Sequence, residues 1–335
     1  MIPKTRRTKL LAGAVAVLVA ATATIWATGT GPFDTAEPSH CWGTWHEDED
    51  GDVLRFGEGQ EGTPSAGRPQ GSCTAIVDTS GGPVTVTVAY GPAPEAPPAR
   101  AAWLFDHLGP GTVPLPDGLT GAAGADSGLL VLPEKCDTSD GRATAVTLRT
   151  DSTSTVDLGG IRQVAQILAV AANHGMEKAG CAPAKPLRTT SPVLFLPEDI
   201  EDYAAKSVCR IPGLDFPDSR ATDLEYQVGP VTRDLQSCAV RDSESRSETL
   251  DLLMVAQPRL AALAGDVAGT TKRPGWRGSG TYTDEYAAVR ADCAGRPTTF
   301  LTLNPDATLD RFAAFANAAA RRLGCAAVAP AGDTA

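Results

Sequence analysis

The sequence predicts an α+β protein: two tandem similar domains, each an antiparallel sheet of hairpins with a C-terminal helix packed on one face and two disulfides, preceded by one N-terminal transmembrane helix. Three observations carry this. A basic N-terminus runs into an uncharged apolar stretch, eight cysteines divide into two sets of four, and the text around those cysteines repeats.

Residues 1–9 carry Lys4, Arg6, Arg7 and Lys9 and no acid, and read as a cytoplasmic basic stub. Leu10 to Thr28 holds no charge, and its 19 residues would reach about 28 Å as a helix, close to the thickness of a bilayer hydrocarbon core. A cleaved signal peptide is the competing reading, but its apolar core usually spans roughly 7–15 residues before a small-x-small site. The nearest such site, Ala21-Thr22-Ala23, lies inside the run, and Trp26 suits an interfacial anchor. The expectation is a retained signal-anchor at 10–28 in the cytoplasmic membrane, single-pass, with everything beyond it extracytoplasmic. Residues 29–40 read as a spacer.

The cysteines are Cys41, Cys73, Cys136 and Cys181, then Cys209, Cys238, Cys293 and Cys325, with gaps of 32, 63 and 45 followed by 29, 55 and 32. An even count outside a membrane reads as disulfides. GSCTAIVDTSGGPVTVTVAYGP (71–92) parallels QSCAVRDSESRSETLDLLMVAQP (236–258): a strand from the cysteine, a polar turn, and a strand ending before proline. In the first, Val84, Val86 and Val88 alternate with Thr85 and Thr87, as in a half-buried strand. LLVLPEKCDTSDGRATAVTLRTD (129–151) parallels YAAVRADCAGRPTTFLTLNPD (286–306), each an apolar strand to a cysteine, a turn, a second strand and Thr-Leu-x-x-Asp. Two long helices follow, with stripes Ile161, Val164, Ile167, Leu168, Ala171 and Leu309, Phe312, Phe315, Ala316. Each stops at Gly-Cys, where glycine takes the left-handed cap. Short helices are expected between the hairpins at Arg100–Leu108 and Pro258–Ala268.

These elements give a first domain at 41–181, a linker at 182–192, a second domain at 193–325 opening with a strand and a helical turn, and a frayed tail at 326–335. Four cysteines allow three connectivities. Autonomous copies favour first with second and third with fourth, since Cys136 and Cys181 end a strand and the helix lying across it, as Cys293 and Cys325 do.

The chemistry-bearing candidates are few. CWGTWHEDEDGD (41–52) approaches a calcium loop, but with Gly51 at position six the first position is His46 and the twelfth Gly57, so no bidentate carboxylate closes the cage. It reads as a solvated acidic turn beside a disulfide, with Trp42 and Trp45 as core filler. GEGQEG (57–62) matches a dinucleotide fingerprint without the helix that would hold a pyrophosphate. No G-x-S-x-G, H-E-x-x-H or C-x-x-C occurs. His40, His46, His107 and His174 share no metal-ligand spacing; His107 reads as a surface residue and His174 as a cation near a helix C-terminus. Asp151 and Asp306 read as turn or helix-start residues. No catalytic, cofactor-binding or metal-binding residue is expected.

The chain has 29 basic and 40 acidic residues; without the four N-terminal basic residues the balance is 25 against 40. That field excludes nucleic acid as a partner. The expected function is a membrane-tethered, non-enzymatic extracytoplasmic module binding a protein or small ligand at the cell surface, in the cleft between the copies. A cell-envelope hydrolase or wall-modifying enzyme with dispersed carboxylates and a secreted structural protein are the alternatives. The anchor, the cysteine-bearing duplicated domain and the acidic ectodomain together resemble, in organisation, the uncharacterised membrane-anchored exported proteins of actinobacteria; that resemblance implies no functional residue.

Overall fold

A computed structural model describes residues 39–46, 60–66, 68–79, 82–151, 158–193, 209, 224–242, 248–305 and 309–330. The anticipated stub, transmembrane span and most of the spacer lie outside these residues, as do the acidic run from Glu47 to Asp52, the opening strand of the second domain, Asp306 and the end of the tail. Among the described residues no helix is long and apolar enough to cross a membrane.

The first half contains β1 (Gln60–Gly62), β2 (Gly71–Thr79), β3 (Gly82–Pro92), α1 (Pro97–Leu108), β4 (Val113–Pro114), β5 (Thr120–Ala123), β6 (Ser127–Val131), β7 (Thr144–Thr150) and α2 (Ile161–Ala179). The second contains β8 (Leu224–Val228), β9 (Leu235–Asp242), β10 (Glu248–Val255), α3 (Pro258–Ala268), β11 (Ser279–Tyr282), β12 (Tyr286–Cys293), β13 (Arg296–Leu303) and α4 (Leu309–Arg322). One sheet has the order β1-β2-β3-β7-β6-β5-β4 and the other β8-β9-β10-β13-β12-β11, every pairing antiparallel. Strand for strand the second order repeats the first, less the edge strand β4. The duplication read in the cysteines is thus a duplication of topology.

The hairpins follow the alternation of side chains. On β3, Val84, Val86, Val88 and Tyr90 are buried, while Thr85, Thr87 and Ala89 on the opposite face are half-buried. The buried set meets Val164, Leu168 and Ala172 of α2 in one core; Leu252, Met254, Val289 and Phe300 meet Phe312 and Phe315 of α4 in its counterpart. Both helices end as expected. Gly180 and Gly324 adopt φ of 75° and 81°, and Cys181 N–H donates to Met176 O and Cys325 N–H to Ala320 O, each at 2.9 Å. The disulfides are Cys41–Cys73, Cys136–Cys181, Cys209–Cys238 and Cys293–Cys325, so no bridge joins the halves. Four such bonds fit a chain folded in an oxidising compartment.

The structure departs from the sequence reading in four places. First, a helix does not cover only one face of each sheet. A third core holds Ala101, Leu104 and Leu108 of α1, Leu260, Ala264 and Val267 of α3, and Leu129, Val131, Leu253 and Leu301 from the inner faces of both sheets. The layers run α2, first sheet, α1 with α3, second sheet, α4. The physical reason lies in the strands: Leu129–Leu132 and Leu252–Val255 are apolar at every position and so are buried on both faces. Residues 41–181 and 193–325 therefore share a core, tied by polar bonds as well. Gln257 accepts from Gly121 N–H at 2.8 Å and donates to Gly121 O at 3.3 Å. Arg259 bonds both oxygens of Asp137, and Arg100 reaches Asp266 at 3.1 Å.

Second, residues 182–193 lie against the first half. Asn173 on α2 accepts from Leu187 N–H at 2.8 Å and donates to Leu187 O at 2.9 Å. Asp117 accepts from Thr190 and Ser191, backbone and hydroxyl alike. These bonds, the Ser191 hydroxyl foremost, hold its carboxyl down at about 2. Third, residues 326–330 are packed rather than frayed: Val328 and Ala329 are buried, and Asn317 on α4 binds both of their N–H groups. Asn173 and Asn317 each stand eight residues before the helix-ending cysteine, so the clamp is repeated too. Fourth, Cys136 does not end a strand. Pro133 stops the strand path, and Cys136 sits in a 3-10 turn at Glu134–Cys136, whereas β12 continues to Cys293.

Candidate ligand-binding site

The two copies also differ in what their inner sheet faces carry. Register makes Ala89 opposite Thr147 and Thr87 opposite Arg149 in the first sheet equivalent to Leu253 opposite Leu301 and Asp251 opposite Leu303 in the second. In the second half, Leu253 and Leu301 are fully buried in the shared core. In the first half the same positions are small or hydroxylated and line an open trough. The alternation of β3 explains its floor: the valine face is spent on the core under α2, and Thr85, Thr87 and Ala89 are left on the other side.

The wall comes from α1. Ala101, Leu104, Phe105 and Leu108, spaced i, i+3, i+4 and i+7, face the shared core. Trp103, Asp106 and His107, again at helical spacing, form a second stripe over the trough. Three neighbouring chambers with shared lining residues result. The central one, about 890 Å³, is lined by Thr85, Thr87, Trp103, His107, Thr147 and Arg149, among others. A second, about 610 Å³, shares Ala89, Trp103 and Thr147 with it and extends past Gln70 to Arg68 and Arg142. A third, about 250 Å³, shares Asp106, Asp126 and Ser127 and enters the cleft between the halves, where Gln227, Ser237 and Asp251 line it.

Charges along the trough are largely paired off. Asp106 and Arg149 join wall to floor at 3.2 Å, and Arg142 holds Asp140 at 2.7 Å. Asp151 accepts from Thr85 N–H at 2.6 Å and donates its own N–H to Thr85 O at 3.1 Å. It sits in a bend just past the end of β7, as a turn residue would, and its bonds back to Thr85 lower its pKa. His107 is not a surface residue: it is 7% exposed. Its Nδ1 donates to Trp103 O at 2.8 Å, which leaves Nε2 as an acceptor. Burial holds its pKa below the ordinary value, against the opposing pull of that hydrogen bond and of Asp106. Among the described residues His107 Nε2, Thr147 Oγ1 and the Trp103 indole N–H have no hydrogen-bond partner, although all three residues line the central chamber.

The remaining expected positions are structural. All eight cysteines are bridged. Cys41, Trp42 and Gly43 take left-handed φ of 49°, 64° and 92°, a sparsely populated conformation for the first two. The Cys41–Cys73 bond and packing of Trp42 in the core beneath α2 hold it. His174 lies against the Gly43 turn and 3.9 Å from Glu177. Residues 60–62 of the glycine motif form the edge strand β1, not a phosphate loop. Trp103 and His107 escaped the sequence reading because each is unremarkable alone. The usable signal was two stripes on one short helix, one apolar and one aromatic and polar. No protein-family model, curated protein or solved structure matches the chain.

Proposed function

We propose that the chain is a membrane-tethered extracytoplasmic module that binds an extended polar ligand in the trough of its first half, without transforming it. One observation carries this reading: the same sheet positions hold Leu253 and Leu301 under a sealed core in one copy and Ala89 and Thr147 under an open trough in the other. A purely structural duplication has no use for that difference. The polar groups of Trp103, His107 and Thr147 support it, since all three residues line the trough and, among the described residues, no protein group there occupies their free hydrogen-bonding positions.

The trough also contains carboxylates, the feature a hydrolase would need, but their partners argue against acid catalysis. Asp106 is ion-paired with Arg149, and Asp151 is held ionised by Thr85. A general acid needs a raised pKa, the opposite of the shift at Asp151. Tethering through residues 10–28 is the other half of the proposal and rests on the basic flank and the uncharged run.

The test is photocrosslinking in cells with a photoreactive residue in place of Thr87, compared with the same residue in place of Arg321 on the exposed side of α4. Adducts from position 87 that vanish when Ala89→Leu fills the trough are the expected result. Equal labelling from both positions, or labelling indifferent to Ala89→Leu, overturns the trough as the site. A mature chain lacking residues 1–28 overturns the tether.

A further inference from the structure

The size, polarity and aromatic content of the trough narrow its ligand. Resting on the binding role above, we propose that this ligand is a neutral oligosaccharide, with one sugar ring lying against the Trp103 indole and its hydroxyls engaging His107 Nε2 and Thr147 Oγ1.

Size leaves room for more than one small unit. Each of the two larger chambers, at about 610 and 890 Å³, falls by itself in the range of a drug-sized site, roughly 300–1,000 Å³. They share Ala89, Trp103 and Thr147 as lining, and a third shares Asp126 and Ser127 with the larger of them. Such a row of chambers fits a chain of repeating units.

The charge balance argues against an anionic chain. The floor presents Thr85, Thr87 and Thr147, and the Thr87 hydroxyl is already 3.2 Å from that of Thr74. Arg149 and Arg142 are paired with Asp106 and Asp140, which leaves Arg68 at one end against the carboxylates of Asp126 and Asp151, in a chain of net charge −11. A phosphorylated or uronic-acid polymer would meet repulsion.

A peptide fits less well. The sheet presents a face here, and the N–H and C=O groups of β3 are committed to β2 and β7, so an added strand has no edge to pair with. The hydroxyl-lined floor also lacks the alternating apolar pockets that read peptide side chains.

A sugar matches each remaining group. Its ring has an apolar C–H face for an aromatic plane, and its hydroxyls both donate and accept. The trough offers an acceptor (His107 Nε2), a donor (the Trp103 N–H) and a group that does both (Thr147 Oγ1), arranged around one indole. The Nδ1–H of His107 is held by the carbonyl of Trp103, so Nε2 of the neutral ring can act only as an acceptor.

The test uses the full-length protein purified in detergent. It is screened in parallel against an array of neutral oligosaccharides, an array of anionic oligosaccharides and a peptide library, and hits are quantified by titration calorimetry. A neutral oligosaccharide should bind with little salt dependence. Trp103→Ala should weaken it about tenfold or more, and Trp103→Phe should retain most of the affinity. Thr147→Val, which removes one hydroxyl at constant volume, should also weaken binding while leaving the unfolding midpoint nearly unchanged. Trp103-dependent binding of peptides, or of anionic sugars alone, overturns the neutral-glycan assignment and leaves the trough as a binding site. Loss of every Trp103-dependent interaction overturns both. Release of new reducing ends from a bound oligosaccharide overturns the non-enzymatic reading and leaves the ligand class standing.

Discussion

Asn317→Ala isolates the clamp that fastens the C-terminal segment. The amide is 7% exposed; its Oδ1 accepts from Val328 N–H and Ala329 N–H, both at 2.8 Å, and its Nδ2 donates to Ala329 O at 3.1 Å and Pro330 O at 3.3 Å. Removing it leaves two buried N–H donors orphaned, at about 1–3 kcal/mol each. The chain has a second route, which is to peel residues 326–330 away and hydrate the donors. That forfeits the burial of Val328, about 1.5–3 kcal/mol, and the 2.8 Å bond from Arg277 N–H to Val328 O. The cheaper route sets the cost, so the expected loss is about 2–4 kcal/mol. Asn173→Ala removes one acceptor and one donor at a half-buried site that water can reach, and should cost about 1 kcal/mol. Urea unfolding of the oxidised protein, followed by fluorescence and far-UV circular dichroism, gives both values. Hydrogen exchange at Val328 and Ala329 reports the local opening. An Asn317→Ala variant no weaker than Asn173→Ala, or one whose two amides remain protected, would refute the clamp as the holding element.

Non-reducing peptide mapping should return the four pairs within halves, and replacing any one pair by alanine should cost about 3–4 kcal/mol for loops of this length; a bridge between the halves contradicts the packing. Gly175→Ala tests the fit of α2 on the sheet. Its Cβ would stand 2.3 and 2.7 Å from Tyr90 ring carbons, so overpacking of about 1–3 kcal/mol should outweigh the gain of about 1 kcal/mol in helix propensity, and a more stable variant would show that the ring yields. NMR titration should find His107 protonating below the usual value of about 6.5. Because the unfolded chain takes up that proton first, this residue's contribution to stability is complete above the unfolded pKa and is lost as pH falls through the lower folded value. His107→Gln should flatten that acid-side loss; an unchanged pH profile would assign the loss elsewhere.

Particular elements show how far the chain could be read before its structure. The Val-Thr alternation of β3 told a half-buried strand, and its threonine face is the floor of the trough. Gly180-Cys181 and Gly324-Cys325 told where the long helices stop. The short strands β1, β4, β5, β8 and β11 went unread: β1, β4, β5 and β11 are two to four residues long and rich in Gly, Ala, Pro or polar residues, too short to show a period, while β8 alternates Leu224, Tyr226 and Val228 with Glu225 and Gln227 and was simply missed. The segments after both long helices looked like linker and tail because the residues that fasten them, Asn173, Asp117 and Asn317, are ordinary polar residues whose partners are backbone groups up to 74 residues away.

What the sequence determined by itself was everything encoded at short range or by repetition: strands by alternation, helices by stripe and cap, and a repeat by spacing. Which faces of the two copies would meet was decided by tertiary structure alone. Burial on both faces of Leu129–Val131 and Leu252–Val255 made one molecule with a shared core out of two similar halves. The same packing sealed the inner face of the second sheet with leucines and left that of the first open beside Trp103 and His107. A site of that kind exists only as a difference between two superposable surfaces, and no single stretch of sequence contains a difference.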